Sequence, residues 1–401
     1  MITKKYNEEA LKNSAAANFN RPYQQCSMSV MDTIADPDIS FNEQGVCNYY
    51  DEYLQKESWH VLTGKAGEQK LHETIEKIKS DGAGKKYDCI TGISGGVDST
   101  YLCLLAKKSG LRPLIVHFDN GWNSELAVKN IENIIEKLGF DLYTLVVDWN
   151  EFKDLQLAYL KASVVDIEAL TDHAIVGTLY KLAAENNIKY ILSGYNIVTE
   201  ATLPAYWVFN KADDVNIKDI HKKYGSAPLK TYPFFGMKER KYYGAVKGVE
   251  TINLLNYLPY KKEAVKEIIA LELGWRDYGG KHYESVFTRF YQGYILPVKF
   301  GIDKRKAHLS NLIFSKQLTK EVAVEELKKP VIEESQLAAD YDFVLKKLNL
   351  SQPEFEEILA LPRREHTDFA TIQSIYKNYP VLKMIKPVAD IIRKLSLKSK
   401  E

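Results

Sequence analysis

The chain has 401 residues, enough for two or three domains, and its apolar and charged shares of 45% and 27% are ordinary for a soluble globular protein. Its formal net charge of +1 argues against a general nucleic-acid surface or an anionic membrane as the partner. No apolar run approaches the roughly 18 residues that cross a bilayer, the first residues lack the apolar core of a signal peptide, and the four cysteines form no CxxC pair. We therefore expect a cytoplasmic protein that neither inserts into a membrane nor binds nucleic acid.

Apolar periodicity divides the chain into three parts. Residues 1–60 are polar and irregular and predict an N-terminal arm. Residues 61–235 alternate, with strands predicted at 87–93, 113–118, 142–147 and 190–193 and helices at 66–80, 98–108, 124–138 and 172–187. This alternation predicts an α/β fold, in which a parallel sheet has helices on both faces. Residues 236–401 predict a mostly helical C-terminal region, with helices at 261–275, 319–328, 335–347 and 353–360.

The most informative segment is a predicted strand that runs through a glycine pair into a helix, with the sequence ITGISGGVDST at 90–100. Glycines let the backbone approach a ligand closely, and a helix N-terminus offers unpaired N–H groups to an anion. The segment predicts a phosphate loop, formed by Ser94, Gly95, Gly96, Val97, Asp98 and Ser99. A carboxylate repels phosphate unless a cation intervenes, so Asp98 predicts Mg²⁺ beside the bound phosphate. A capped βα turn without a ligand is the structural alternative.

Other candidate site residues follow the predicted strands, because ligands bind beyond the carboxyl ends of an open α/β sheet. After the second strand these are Phe118, Asp119 and Asn120, and after the fourth they are Gly194, Asn196 and Glu200. Asp166 and Glu168 precede a helix and are candidates for substrate or metal binding, whereas Asp172 is interpreted as a helix cap. Basic residues downstream predict a polyphosphate clamp made of Lys281, Arg289, Lys304 and Arg305. A solvated basic helix is the alternative for this last group.

The string SGGVDS resembles the pyrophosphate loop of the PP-loop ATP pyrophosphatases, whose fold is like that of the adenine nucleotide alpha hydrolases. It is neither a Walker A loop nor a GxGxxG turn. The resemblance implies that the loop holds the β and γ phosphates of ATP, that AMP is transferred to a substrate oxygen, and that pyrophosphate leaves. Asp98, Lys281 and Arg289 would then be the catalytic residues.

Four stretches together resemble the N-acetyl sugar amidotransferases of surface-polysaccharide biosynthesis. They are VMDT, DPDI and GVCNY between 30 and 49, the SGGVDS loop, LSGYN at 192–196 with Thr199 and Glu200, and the block from Gly280 to Ser310. The resemblance implies an acetamidino product for lipopolysaccharide or O-antigen, made from a nucleotide-linked or acidic N-acetyl sugar bound by Asp166, Glu168 and Glu200. It also implies that ammonia comes from a separate glutaminase through a cyclase-like channel subunit.

The sequence departs from the family at the N-terminal arm. Four cysteines suited to structural zinc are expected there, but the positions hold Cys26, Ser29, Cys47 and Tyr50. Two thiolates do not complete a structural zinc site, so the arm is degenerate and zinc-ribbon-like, and we expect no zinc. Cys89 and Cys103 are interpreted as core residues.

Two other functions compete with the sugar amidotransferase. One is a tRNA-modifying PP-loop enzyme that thiolates its substrate or forms lysidine, which the near-neutral charge disfavours. The other is a non-enzymatic adenine-nucleotide sensor, which the intact loop and the distal cations disfavour.

Overall fold

The computed structural model describes residues 21–280 and 283–378. Within these ranges five strands pair in parallel in the order β3-β2-β1-β4-β5. Their bounds are Cys89–Gly92 for β1, Pro113–Asp119 for β2, Leu142–Val146 for β3, Tyr190–Leu192 for β4 and Glu250–Ile252 for β5. The chain winds outward in one direction from β1 to β3 and in the other from β4 to β5. A crevice is therefore expected at the carboxyl ends of β1 and β4, where the order reverses.

Helices follow the strands and then dominate the C-terminal half. The first ten are α1 Asn48–His60, α2 Gly64–Asp81, α3 Val97–Lys108, α4 Glu125–Leu138, α5 Trp149–Ala162, α6 Ala169–Glu185, α7 Ile197–Glu200, α8 Asp214–Tyr224, α9 Met237–Lys241 and α10 Lys262–Leu273. The rest are α11 Val286–Phe290, α12 Arg305–Phe314, α13 Lys320–Lys328, α14 Glu334–Leu348, α15 Gln352–Ala360 and α16 Ile372–Asn378, with a π-helix at Tyr291–Phe300. In these ranges no helix is both long enough and apolar enough to cross a membrane.

The sheet is covered on both faces, as predicted. Side chains alternate along β2, so that Ile115 packs with α3, α4 and α10 while Leu114 and Val116 pack with α6 on the other face. Six of the seven β2 residues are buried, which is the pattern of a central parallel strand. Cys89 and Cys103 belong to the same core, and burial raises the pKa of the Cys103 thiol to about 12, so both are core residues.

The predicted strands and helices of the core are confirmed to within a few residues. Helix α4 shows why its bounds could be predicted: Ser124 accepts a hydrogen bond from the N–H of Ala127 at the start, and Gly139 ends the helix in the left-handed region at φ 63°. Between these caps the helix buries Ile131, Ile134 and Leu138.

The prediction of an irregular arm is wrong for its last part, because α1 occupies Asn48–His60. Only Tyr49 and Tyr53 of this helix are buried, so its sequence carries little apolar periodicity. Helix α5 was also not predicted, although Asp148 caps it by accepting from the N–H groups of Asn150 and Glu151. The three-part division of the chain stays a prediction.

The arm is fastened to the C-terminal region by a buried ion pair. Lys306 Nζ lies 2.5 Å from Asp32 Oδ2, and the two side chains are 11% and 1% exposed. The other carboxylate oxygen of Asp32 accepts from the backbone N–H groups of Ile34 and Ala35, which fixes the turn after residue 32. The pair thus joins a turn of the arm to α12 across 274 residues of sequence.

We expect Lys306→Met to lower the free energy of unfolding by about 3 kcal/mol, because it keeps the aliphatic stem but leaves the Asp32 carboxylate buried without its cation. Lys328→Met is the matched control, since that lysine pairs with Glu325 at the surface with both side chains more than half exposed. Its effect should stay within about 0.5 kcal/mol. Denaturant titration measures both, and equal losses would refute a structural role for the buried pair.

Candidate active site

The predicted phosphate loop lies between the end of β1 and the start of α3, at the switch in strand order. Gly96 is the N-cap of α3, and Val97 begins the helix with its side chain against the core. The hydroxyl groups of Ser94 and Ser99 are 3.3 Å apart, and Ser94 Oγ accepts from the N–H of Gly96 at 3.2 Å. Two hydroxyls and a helix N-terminus therefore converge on one exposed turn, which suits an anion.

Gly95 gives this turn its shape. Its φ of +83° lies in the left-handed region, and a Cβ there would stand 2.7 Å from the hydroxyl of Tyr278. Its carbonyl accepts hydrogen bonds from Trp275 Nε1 at 2.7 Å and from Tyr278 at 3.0 Å. Asn130, fully buried, holds the 275–278 segment by exchanging hydrogen bonds with the backbone of Arg276. Sequence reasoning missed these anchors, and the run WRDY just after Gly274 gives only a weak sign of them.

Asp98 is held at the start of α3 by residues from two other segments. The hydroxyl of Tyr260 and the side-chain amide of Asn196 both donate to Asp98 Oδ1, the amide at 3.4 Å. Burial and the nearby Asp98 carboxylate raise the pKa of Tyr260, which keeps it a donor. Asn196 also caps α7 through the N–H of Thr199, and this helix ends at Glu200. Two of the candidate site residues, Asp98 and Asn196, are therefore in direct contact.

Gly194 brings the end of β4 against the phosphate loop. A Cβ at this position would meet the backbone of Asp98 and Ser99 at 3.3 Å. The backbone of Gly194 thus packs closely against the start of α3 and does not directly line an open cavity. Glu200, which was predicted to bind substrate, lies on the Tyr260 side of the loop, since both Tyr195 and Tyr260 experience its negative charge.

The side chains at the end of β2 are used mainly to build a turn. Phe118 packs against Phe152 in the core. Asp119 Oδ1 accepts from the N–H of Gly121 at 2.8 Å and from Asn123 Nδ2 at 3.2 Å. Asn120 is buried between the N–H of Trp122 and the hydroxyl of Thr171. A nucleotide at this turn would therefore meet backbone groups more readily than the predicted side chains.

The segment after this turn pairs with residues 284–286. Ser124 N–H donates to the carbonyl of Glu284 and Val286 N–H to that of Trp122, both at 2.8 Å, and Asn123 and Ser285 form an antiparallel bridge. The pairing places the Glu284 carboxylate at the loop, 3.4 Å from where a Cβ of Gly96 would be. The sequence predicts a site in this stretch from its cations and does not indicate a role for Glu284.

Glu168 lies beside this same segment. It is the N-cap residue of α6, and its Oε2 accepts a hydrogen bond from the hydroxyl of Thr288 at 2.9 Å. Burial, and then the neighbouring Asp172 carboxylate, raise the pKa of Glu168 to about 7. Asp166, by contrast, is fully engaged, because its carboxylate binds Lys211 at 2.6 Å and the N–H of Phe209 at 2.8 Å. Of the two predicted acids, Glu168 is the more available to a substrate.

The predicted cations have different environments. Arg289 makes a bidentate ion pair with Asp340 at 2.6 and 2.7 Å, which ties α11 to α14. Arg305 binds Asp303 and the carbonyls that end α13, among them Lys329 O at 2.9 Å. Lys281 lies outside the described residues. These contacts weigh against a phosphate clamp at Arg289 and Arg305, which stays a prediction.

Lys304 is the predicted cation that remains available. It is partly buried, and among the described residues no hydrogen bond or ion pair holds its ammonium group. Burial lowers its pKa, against the opposing influence of Asp166, Glu168 and Asp172. An ammonium group this far withdrawn from water suits an anionic ligand.

The degenerate arm keeps its cysteines together. Cys26 Sγ accepts from the N–H of Cys47 at 3.2 Å, and Ser29 Oγ lies 3.9 Å from Cys47 Sγ, with all three side chains buried. The side-chain hydrogen bond from Cys47 lowers the pKa of Cys26 to about 5. No cluster of three or more His, Cys, Asp or Glu side chains suited to a metal occurs in residues 21–280 and 283–378. The expected lack of zinc stays a prediction.

Two family models match the chain. Residues 88–194 match the model described as queuosine biosynthesis protein QueC, and residues 284–384 match the C-terminal domain of the model described as LPS biosynthesis protein WbpG-like. The first segment holds the phosphate loop and Glu168, and the second holds Glu284 and Thr288. The contacts described above therefore join the two matched segments at one site.

A curated relative and several solved structures are also similar. A tRNA(Ile)-lysidine synthase from Chlamydia pneumoniae is 38% identical over 76 residues, which are 18% of this chain and 23% of that protein. The chain thus spans less than a quarter of that relative. An NH3-dependent NAD synthetase from Campylobacter jejuni is 14% identical, covering 70% of this chain and 94% of that one with a TM-score of 0.31. An NMN synthetase from Francisella tularensis is 15% identical, and the match covers 56% of this chain and 92% of that one with a TM-score of 0.27.

We expect Gly95→Ala to weaken ATP binding by about tenfold or more, because an alanine at this φ is strained by roughly 1 kcal/mol and its Cβ would displace the Tyr278 hydroxyl. Gly84→Ala is the matched control: its φ is +74°, but nothing lies within 4 Å of its Cβ position. Both variants carry similar backbone strain, Gly95→Ala should lose more stability because of its contact with Tyr278, and only Gly95→Ala should lose nucleotide affinity. Calorimetric titration with ATP measures the difference; equal affinities would contradict the assigned site.

Proposed function

This chain belongs to the PP-loop ATP pyrophosphatase superfamily and is an ATP-using enzyme with the C-terminal domain of WbpG-like lipopolysaccharide biosynthesis proteins, and from that premise we propose that it converts an acetamido group of a sugar into an acetamidino group. ATP would transfer AMP to the acetamido oxygen and release pyrophosphate. Ammonia would then displace AMP, so that nitrogen takes the place of oxygen in the sugar.

One observation carries this proposal: the two matched segments build a single site. The carboxylate of Glu284 reaches the loop at Gly96, and Thr288, four residues further along the chain, donates to Glu168. An ATP-activating loop is thus completed by residues of the WbpG-like domain. A domain of glycan biosynthesis in this position supports a sugar as the group that receives AMP.

The chemistry needs a loop of this kind. An amide oxygen is a poor leaving group, whereas the oxygen of an O-adenylyl imidate leaves as AMP. Positioning of the triphosphate by the loop amides and hydroxyls would supply much of the rate enhancement. Lys304, whose ammonium group has no ion pair within residues 21–280 and 283–378 and is influenced by Glu168, is assigned to an anionic group of the nucleotide or the sugar.

The carboxylates beside the loop are suited to Mg²⁺. Asp98 and Glu284 are hard oxygen ligands at a site meant for phosphates, where each would otherwise repel the nucleotide. Mg²⁺ usually takes only one or two protein carboxylates and completes its shell with phosphates and water. We assign these two residues to hold the ion, which would neutralise phosphate charge when bound.

Ammonia is proposed to come from a separate glutaminase through a cyclase-like channel subunit. The imidate must be kept from water, and delivery of ammonia through a partner subunit serves that need. Free ammonium should replace the partner at high concentration. The sugar substrate is proposed to be nucleotide-linked or acidic, with Glu200 and Glu168 contributing to its pocket.

The reaction is tested with the full chain, ATP, Mg²⁺, ammonium and a panel of nucleotide-linked di-N-acetyl sugars. We expect AMP and pyrophosphate in equal amounts with a sugar whose mass has changed by the exchange of O for NH. Heavy oxygen placed in the acetamido group should appear in AMP. Formation of ADP, or label that stays in the sugar, would refute adenylylation.

Asp98→Asn should lower turnover by about 100-fold or more without unfolding the chain, since the amide keeps the shape but not the charge that Mg²⁺ requires. Asp141→Asn is its control, because that carboxylate is 55% exposed beside Lys86, away from the loop. Turnover is followed by pyrophosphate release and folding by thermal denaturation. Full activity in the Asp98 variant would remove that residue from the mechanism.

A tRNA-modifying enzyme is the second candidate, favoured by the partial likeness to a lysidine synthase. The near-neutral charge supports it poorly. The same assay with tRNA(Ile) and lysine in place of sugar and ammonium discriminates the two, since pyrophosphate release that depends on tRNA would favour this alternative.

A further inference from the structure

We propose that Glu168 is the base that removes a proton from the ammonia nitrogen after it has attacked the adenylylated acetamido group. The inference rests on the proposed function and adds a residue for its second half-reaction. It stands on two anchored points, which are segments of the site that hydrogen bonds hold in place beside Glu168. It also stands on the charged groups around the Glu168 carboxylate.

The first anchored point is the segment that reaches the phosphate loop. Glu284 lies at Gly96, and Thr288 follows four residues later, in the first turn of α11. Thr288 N–H is itself capped by Ser285 Oγ at 3.2 Å, so the hydroxyl that holds Glu168 sits on a fixed first turn of α11. Thr288 therefore ties Glu168 to the same segment that brings Glu284 to the loop.

The second anchored point is the end of β2. Asn120 donates to the hydroxyl of Thr171 at 3.3 Å, and Thr171 lies in the first turn of α6, which Glu168 caps. The start of α6 is thus bound to the edge of the sheet where the substrate oxygen must meet ATP. Glu168 lies at the start of this helix and is partly buried.

Charged groups from every neighbouring element act on this carboxylate. Asp172 of α6 opposes the ionisation of Glu168. Lys304 before α12 and Lys211 before α8 favour it, and Tyr291 of the π-helix also lies near the carboxylate. Lys211 is largely satisfied by Asp166 and Asp172, whereas Lys304 has no ion pair in the described residues. The result is a carboxyl group that exchanges its proton near neutral pH, since burial is the largest influence.

The chemistry of the second half-reaction matches such a group. The ammonia lone pair forms the C–N bond to the imidate carbon, giving an adduct that carries –NH3⁺, –O–AMP and the sugar nitrogen. The carboxylate takes one proton from –NH3⁺, the C–O bond breaks with its electrons on AMP, and an amidinium remains. A base of near-neutral pKa is suited to an ammonium proton and far too weak for the N–H of the starting amide.

The test separates the two half-reactions in the full-length enzyme. Substrate-dependent exchange of labelled pyrophosphate into ATP, without ammonium, reports adenylylation alone. Amidine formation with ammonium reports both steps. Because Glu168 also contributes to the sugar pocket, Glu168→Gln is compared at saturating sugar; there we expect exchange within about threefold of the wild type and amidine formation lowered by about 100-fold or more, the scale of a lost general base. Glu185→Gln, an exposed carboxylate near the end of the same helix, should change neither.

The pH dependence is a second readout. At constant unprotonated ammonia, wild-type amidine formation should rise as pH increases through about 7, because Glu168 must be ionised to act. Glu168→Gln should lose this rise, and Glu168→Asp should retain it at a lower rate. Full amidine formation in Glu168→Gln, or loss of exchange in it, would overturn the assignment. A wild-type enzyme without sugar-dependent exchange would instead overturn the proposed function beneath it.

Discussion

The hydrogen bonds that Trp275 and Tyr278 donate to the carbonyl of Gly95 are the constraint on which the rest of the site depends. They hold a glycine in the left-handed region, and this sharp turn lets α3 begin directly after β1. Along the chain, Trp275 and Tyr278 lie between α10 and the WbpG-like segment. The phosphate loop is therefore shaped by residues almost two hundred positions further along the chain, and it could not keep this form as an isolated βα unit.

The same long-range dependence explains what the sequence could and could not predict. The sheet, its helices and the loop SGGVDS were predictable because period-two and period-3.6 patterns, caps and glycines are local signals. Helix α1 was not, since it buries only Tyr49 and Tyr53 and has almost no apolar stripe. The partners of the loop were also out of reach, because nothing local to Trp275, Tyr260 or Glu284 shows that they meet Gly95, Asp98 and Gly96 in space.

Charged residues illustrate the limit most clearly. A sequence shows that Arg289, Arg305 and Lys304 are cations in one region but not which of them already has a partner. Arg289 is bound by Asp340 and Arg305 by Asp303, while Lys304 faces a group of carboxylates without an ion pair in the described residues. The acids divide in the same way, since Asp166 is neutralised by Lys211, whereas the one hydrogen bond to the Glu168 carboxylate in the described part of the chain comes from a hydroxyl. A structural charge differs from a candidate catalytic or binding group in whether the folded chain already gives it a partner, and residue type does not reveal this.

This division has a consequence for how the two matched segments work together. The PP-loop segment supplies the turn that we propose binds phosphates, but the groups that would adjust charge around it, Glu284 at the loop and Thr288 on Glu168, come from the WbpG-like domain. That domain is itself fixed by Arg289–Asp340 and by the aromatic packing of Phe290, Tyr294 and Tyr341. A change in this packing would shift α11 and move both groups relative to the loop. The proposed chemistry of the chain therefore depends on the junction between the phosphate loop and the domain packed against it.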